Sequence, residues 1–417
     1  METDRPRLWT KDFTIITIGS MVSMLGSAVA GFAMGLLVLD KTDSIALYAL
    51  FMVFYSLPRI FLPLLSGPIL DRFSRKRIIY TLDFVSAGIY LGMFVLLYMG
   101  WFSYIPYMLL SMVIGSIDSV YSVAYDSFYP NLVSKGNFQR AYSISSLIYP
   151  IAAAIMIPVA GFASEFLSDL SPLFLFNSAT FLVAAIFETR IRTRELHVES
   201  QTQHRFWSDF REGLAYLKKE KGLSTITTYF FVTTLLGSIS GTLLLPYFKT
   251  LGTTDVFGFA MSGVVLFSIV MASNTVGRLV GGLVQYFFRY PIDKKFLIAI
   301  FVYVTIAVID GGYLFTPWWT MCILNFTSGL LAVTSYNIRI SSTQNYVPDL
   351  VRGRFNGVFQ MANMAGGIIG QLMAALLGTY FYTRGIVVSA NAINIIFVFL
   401  IMVPNAKYVK KIYNVQI

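Results

Sequence analysis

A chain of 417 residues that is 56% hydrophobic and only 12% charged, with a mean hydropathy of +0.68, is not built to dissolve in water, since soluble domains carry roughly a quarter charged residues. Its net charge of +10 does not point to nucleic acid, because the basic residues are distributed between apolar runs and form no single face or tail. The single cysteine, Cys322, lies inside an apolar stretch, which excludes an intrachain disulfide or thiolate metal cluster and leaves it a packing role.

Taken in order, the chain opens on Met1 to Trp9 without the short apolar core and small-residue cleavage site of a signal peptide, so the first long apolar run is expected to act as its own insertion signal. Crossing a hydrocarbon core of about 30 Å takes about 20 helical residues. Spans are predicted at 13–39, 45–70, 78–99, 104–128, 143–163, 172–187, 223–248, 256–288, 296–315, 319–343, 356–381 and 386–403. The positive-inside rule tests that count. With the N-terminus inside, 25 of the 31 basic residues fall in inner segments, three (Lys41, Lys249 and Arg384) in outer loops, and three arginines within spans. One missed or invented span would scramble that alternation. Both termini are therefore expected in the cytoplasm of a bacterial inner or plasma membrane.

The longest hydrophilic stretch, 188–222, divides the chain near its middle and reads as a cytoplasmic linker between domains at 1–187 and 223–417. Within it, Phe206, Phe210, Leu214 and Leu217 recur at helical spacing, while Arg211, Lys218 and Lys219 lie elsewhere. Such a helix suits either the inner membrane surface or the protein's own cytoplasmic face.

The halves repeat. At an offset of 218 residues, Phe128-Tyr129-Pro130-Asn131-Leu132-Val133 matches Tyr346-Val347-Pro348-Asp349-Leu350-Val351, and Arg140 falls near Arg354 after a small gap. A duplicated six-helix unit accounts for this, as in transporters built from parallel repeats. After span two comes Gly67-Pro68-Ile69-Leu70-Asp71-Arg72-Phe73-Ser74-Arg75-Lys76-Arg77. Its glycine permits close helix approach, its aspartate can pair with arginine or a helix N-terminus, and its basic run pins the loop inside.

This loop resembles the signature Gly-x-x-x-Asp-Arg-x-Gly-Arg-Lys/Arg-x of the major facilitator superfamily, with Ser74 in place of the second glycine. Ser23-Met24-Leu25-Gly26, the 130–140 loop, the 209–216 linker helix and the 347–354 loop resemble the branch that holds the enterobactin exporter and macrolide efflux proteins. The resemblance covers essentially the whole chain. It implies an all-α membrane protein of the major facilitator fold: twelve transmembrane helices in two pseudo-symmetric six-helix bundles around a cavity, a monomer with no cofactor. It further implies export of a small amphipathic or aromatic molecule by alternating access, as proton antiport. Gly67, Asp71, Arg72, Arg75, Lys76, Asp126, Arg140 and Arg354 would form the signature loop and cytoplasmic gate. One departure is Ile157-Pro158-Val159-Ala160-Gly161 in span five, which keeps the proline and last glycine of an exporter motif but lacks its first glycine. Import or uniport of a metabolite, or a transport-inactive sensor on the same fold, are the alternatives.

A charge at the bilayer centre costs at least about 2.5–3.5 kcal/mol, so charges within spans call for an explanation. Arg59 precedes Asp71, and Asp118 precedes Pro130, by twelve residues each, which places both about 18 Å from the inner helix ends. They can pair, either as a permanent salt bridge or as a switch opened when Asp118 takes a proton. Arg278 follows Arg59 by 219 residues, but Tyr336 and Asn337 stand in the region matching Asp118, so Arg278 either attracts an anionic or phenolate substrate or is satisfied by Asp310 or a carbonyl; Arg59, Asp118, Arg278 and Asp310 are the candidates for substrate or proton coupling. Asp118, Ser122 and Asp126 share one helical face. Asp83, six residues past Arg77, is expected to pair with the basic loop. Enzyme chemistry is disfavoured: both histidines, His197 and His204, lie in the linker, and no phosphate-binding loop is present to use ATP.

Overall fold

The computed structural model describes residues 8–63, 73–134, 137–193, 206–256, 258–287 and 290–414. Among them are 12 helices long and apolar enough to cross a membrane, one on each predicted span. The first six are Lys11–Thr42, Ile45–Pro63, Arg75–Tyr98, Tyr104–Leu132, Arg140–Phe166 and Ser171–Glu188. The second six are Lys221–Lys249, Gly263–Gln285, Lys295–Phe315, Trp318–Tyr346, Val351–Tyr380 and Thr383–Met402.

The start of span eight departs from expectation. Residues predicted to begin it at 256 instead form an antiparallel hairpin, β1 (Thr253–Val256) with β2 (Phe259–Ser262). Glycines at positive φ, Gly252 at 66° and Gly258 at 85°, interrupt any helix there, and Asp255 Oδ1 accepts the Gly258 amide at 2.8 Å to close the turn. The β-branched Thr253, Thr254 and Val256 suit the extended conformation. Apolar composition alone had extended the span through this segment.

Span two is also interrupted. Its α-helix runs Ile45–Ser56, turns at Leu57, and resumes at Pro58, whose missing N–H breaks the hydrogen-bond ladder one residue before Arg59.

By internal contacts the chain divides into two units, Met1–Asp43 with Phe54–Thr202, and Ser44–Val53 with Gln203–Ile417. In the first, span one packs on spans five and six, and span three on spans four and six. Gly26 is what lets span one approach span six: a Cβ there would lie 1.9 Å from Thr180 Oγ1. Ser178 Oγ donates to the Ala87 carbonyl at 2.7 Å, and Tyr90 stacks on Phe174 and Phe181, fastening span six to span three. Phe13, Ile16, Ile79, Phe128 and Tyr129 form the core at the end bearing the basic loops.

The second unit repeats the same contacts: span seven packs on spans eleven and twelve, and span nine on spans ten and twelve. This shared arrangement is the structural form of the sequence repeat.

The linker helix, Phe206–Lys219, belongs to the second unit and packs on span eleven. Leu217 is buried, Phe210 and Leu214 join the same core as Phe355 and Val358, and Glu212 Oε2 lies 2.7 Å from Arg354 Nη1. The helix thus rests on the protein's own surface. A Cβ on Gly213 would lie 2.7 Å from the Arg354 carbonyl, so Gly213→Leu is expected to unseat it. Trypsin cleavage after Arg211, Lys218 and Lys219 should then accelerate at least about tenfold, the effect of about 1.4 kcal/mol of lost docking. Unchanged cleavage would show that the docking contributes little. A short C-terminal helix, Ala406–Tyr413, completes this face with Val409, Ile412 and Tyr413 buried, and Tyr413 bonds Tyr303 hydroxyl to hydroxyl at 3.0 Å.

Candidate functional site

The structure brings Arg59 and Asp118 together. Arg59 Nη2 donates to Asp118 Oδ2 at 3.0 Å, and both side chains stay partly accessible, at 42% and 34%. A third member, absent from the sequence-based candidates, completes the group. The Tyr55 hydroxyl accepts from Arg59 Nη2 at 2.7 Å and donates to Asp118 Oδ2 at 2.6 Å, while the guanidinium lies over the Tyr55 ring at 4.6 Å. Tyr55 stands four residues before Arg59, one helical turn away, which was the available signal.

Gly115 makes this contact possible. A Cβ there would sit 2.0 Å from the Tyr55 carbonyl, so spans two and four meet backbone to backbone, and Asp118 follows one turn later on span four. The charge pair is thereby held by main chain as well as by side-chain rotamers.

The second unit has the same frame with different occupants. A Cβ on Gly329 would lie 2.1 Å from the Asn274 carbonyl, and Asn274 precedes Arg278 by four residues as Tyr55 precedes Arg59. Gly277 meets the Phe326 carbonyl and Gly281 that of Leu330, so spans eight and ten also cross in close contact. Matching Gly329 to Gly115 puts Ala332, one turn before Tyr336, where Asp118 stands. Arg278 Nε instead donates to Asn274 Oδ1 at 3.1 Å, and Asp310 accepts the Ser328 hydroxyl at 2.7 Å. Tyr336 and Asn337 belong to other groupings: Asn337 Nδ2 donates to Gln285 Oε1 at 2.6 Å, and Gln285 to Thr334 at 2.8 Å.

The third intraspan arginine, Arg339, had not been singled out. Its guanidinium lies 4.6 Å from the Phe359 ring centre and 5.2 Å from those of Phe230 and Tyr336. Aromatic faces contributed by spans seven, ten and eleven stabilise its charge through their quadrupoles.

Of the signature-loop candidates, Gly67, Asp71 and Arg72 lie outside the described residues. Ser74, standing where the signature has glycine, caps span three by accepting the Arg77 amide at 3.3 Å, which gives the substitution a structural role. Arg75 Nη1 reaches the Ser127 carbonyl at 3.3 Å, and Lys76 Nζ donates to the Ile191 carbonyl. Asp126 and Arg140 are exposed, and Arg354 pairs with Glu212 as described. Asp83, expected to pair with the basic loop, is instead 1% exposed and faces Glu188 of span six within hydrogen-bonding reach, with none of the described basic residues of that loop acting on it. Glu188 had been counted into the linker, but it is the last residue of span six and fully buried.

Comparison with known proteins agrees with this architecture. The family model for transmembrane secretion effectors matches residues 6–410. The chain is 24% identical over 235 residues to the transporter YkuC of Bacillus subtilis, covering 53% of each chain. It is 26% identical over 291 residues to macrolide efflux protein A of Streptococcus pyogenes, covering 66% of each. The matches therefore span about half to two thirds of the curated relatives' length. The crystal structure of the nucleoside transporter NupG superposes with a TM-score of 0.71 at 16% identity, over 94% of this chain and 98% of that one, a likeness of fold. Twelve apolar helices, a duplicated packing scheme and a family match along nearly the whole chain lead to one statement: this multi-pass membrane protein belongs to the major facilitator superfamily, in its transmembrane secretion effector family.

Proposed function

We propose that this protein exports a small amphipathic or aromatic molecule by alternating access of its two bundles, in exchange for protons. The carrying observation is the Arg59–Tyr55–Asp118 group, a carboxylate within a membrane span whose own charge, and with it the attraction for Arg59, depends on its protonation. Its partial exposure gives a proton a route by water. Protonating Asp118 cancels its attraction for Arg59, removes one acceptor of the Tyr55 hydroxyl, and frees the guanidinium for a substrate. In the second unit Ala332 stands at the matching place, and Asp310, though near enough to act on Arg278, bonds Ser328 and not the guanidinium, so coupling is assigned to the first. Arg339 among Phe230, Tyr336 and Phe359 supports an aromatic substrate, because those rings and that cation can regroup around one. Both termini are assigned to the cytoplasm on the distribution of basic residues.

The test begins with a thermal-shift screen of macrolides, siderophores and other amphipathic compounds on detergent-purified protein, since a ligand of the folded state raises the unfolding temperature by mass action. A compound that stabilises is then followed in proteoliposomes with and without an imposed pH gradient. Flux driven by the gradient and abolished by a protonophore is expected. Flux insensitive to the protonophore would overturn antiport in favour of uniport. Absence of flux for every compound, together with a stable protein partner, would favour a sensor or scaffold.

A further inference from the structure

The first unit holds a second acidic centre, apart from Asp118, that transport by Arg59 and Asp118 does not use. Asp83 of span three and Glu188 of span six are 1% and 0% exposed and lie within hydrogen-bonding reach of each other. Asp83 Oδ2 and Glu188 Oε2 are sealed from solvent with no donor from the protein. The groups around them explain why. From span four the Tyr121 hydroxyl reaches Glu188 Oε1 at 3.5 Å, with Tyr125 and Asp118 further along the same helix. Span one contributes Gly19, where a Cβ would lie 3.4 Å from Glu188 Oε1, and Ser20, 3% exposed with its hydroxyl unpartnered beside Tyr121. Among the described residues no lysine or arginine acts on either carboxylate. Lys76, at the start of span three, is bonded to the Ile191 carbonyl beyond the end of span six.

We propose that Asp83 and Glu188 form a proton-binding site that holds one proton shared between the two carboxylates at neutral pH. Two carboxylates in contact, away from water and from any cation, repel strongly when both are ionised; one proton removes a charge and supplies the missing donor. The described residues contain no group of three or more acidic, histidine or cysteine side chains placed to hold a metal ion, whereas two carboxylates are enough to share a proton. The proton sits between spans three and six, helices that Gly26, Ser178 and Tyr90 already bind into the first unit.

The site does not rest on the export reading, because its occupancy is measured on the resting protein without substrate. Infrared spectra of the full-length protein in liposomes at pH 7 are expected to show the carbonyl stretch of a protonated, deuterium-resistant carboxylic acid. Asp83→Asn and Glu188→Gln should each remove that band while keeping the unfolding temperature within a few degrees, since an amide N–H replaces the shared proton as donor to the remaining carboxylate. A band unchanged in both variants overturns the proposal. So does failure of both amide variants to fold, because an amide reproduces the donor a shared proton would supply. Stabilisation by sodium at constant ionic strength, in the wild type and in neither variant, would assign the site to a metal cation and overturn it likewise.

Discussion

Asp118→Asn is expected to yield protein that inserts, purifies and unfolds within a few degrees of the wild type, but whose gradient-driven flux falls at least about 100-fold, equivalent to about 2.7 kcal/mol. The amide keeps an oxygen for Arg59 Nη2, at present 3.0 Å from Asp118, so the geometry of spans two and four is retained. What is lost is the ability to change charge. Because the pair is partly accessible, its removal should cost less stability than the roughly 3–5 kcal/mol of breaking a fully buried pair. Tyr55→Phe isolates the hydroxyl that bridges the two charges and is expected to have a smaller effect, about tenfold. Flux is measured with the compound selected by thermal shift. Wild-type coupled transport in Asp118→Asn would sink the assignment, and would leave Arg59 and Asp118 as an architectural salt bridge.

Gly115→Ala should do damage out of proportion to a single methyl group. Its Cβ would lie 2.0 Å from the Tyr55 carbonyl, a backbone atom that cannot swing aside, so the two spans must separate by at least about 1 Å. Overpacking of this kind costs about 1–3 kcal/mol. The separation acts one turn from Asp118, so the unfolding temperature and gradient-driven flux should fall together. Gly92→Ala supplies the control: nothing lies within 4 Å of a Cβ there, and alanine in a helix is about 1 kcal/mol more favourable than glycine. Equal unfolding temperatures for the two variants would refute the role given to the close crossing. The same reasoning applies to Gly329 in the second unit, where the clash would be with Asn274.

These contrasts show where linear information ends. The number and approximate positions of the spans were legible because insertion depends on local hydropathy and helix length, properties of contiguous residues. The duplication was legible in the Pro130 and Pro348 segments, and the shared depth of Arg59 and Asp118 followed from helical rise alone. Depth, however, does not specify rotation about a helix axis. That Tyr55 bridges the pair, and that Ala332 holds the place in the second half equivalent to Asp118, was decided by the glycines at which helices touch. The hairpin at Thr253–Ser262 escaped hydropathy because its residues from Val256 onward are as apolar as a span, and the positive φ of Gly252 and Gly258 turns the chain there.

Asp83 and Glu188 mark the sharpest limit. By position Asp83 lies near the basic loop and Glu188 at the head of a hydrophilic stretch, so pairing with that loop and a place in the linker were the economical expectations. The sequence by itself determined a twelve-span membrane protein with a repeated half and a small set of intramembrane charges. Only tertiary packing decided which of those charges meet, because whether a carboxylate faces an arginine, water or another carboxylate depends on the helices closing around it, here spans one, three, four and six.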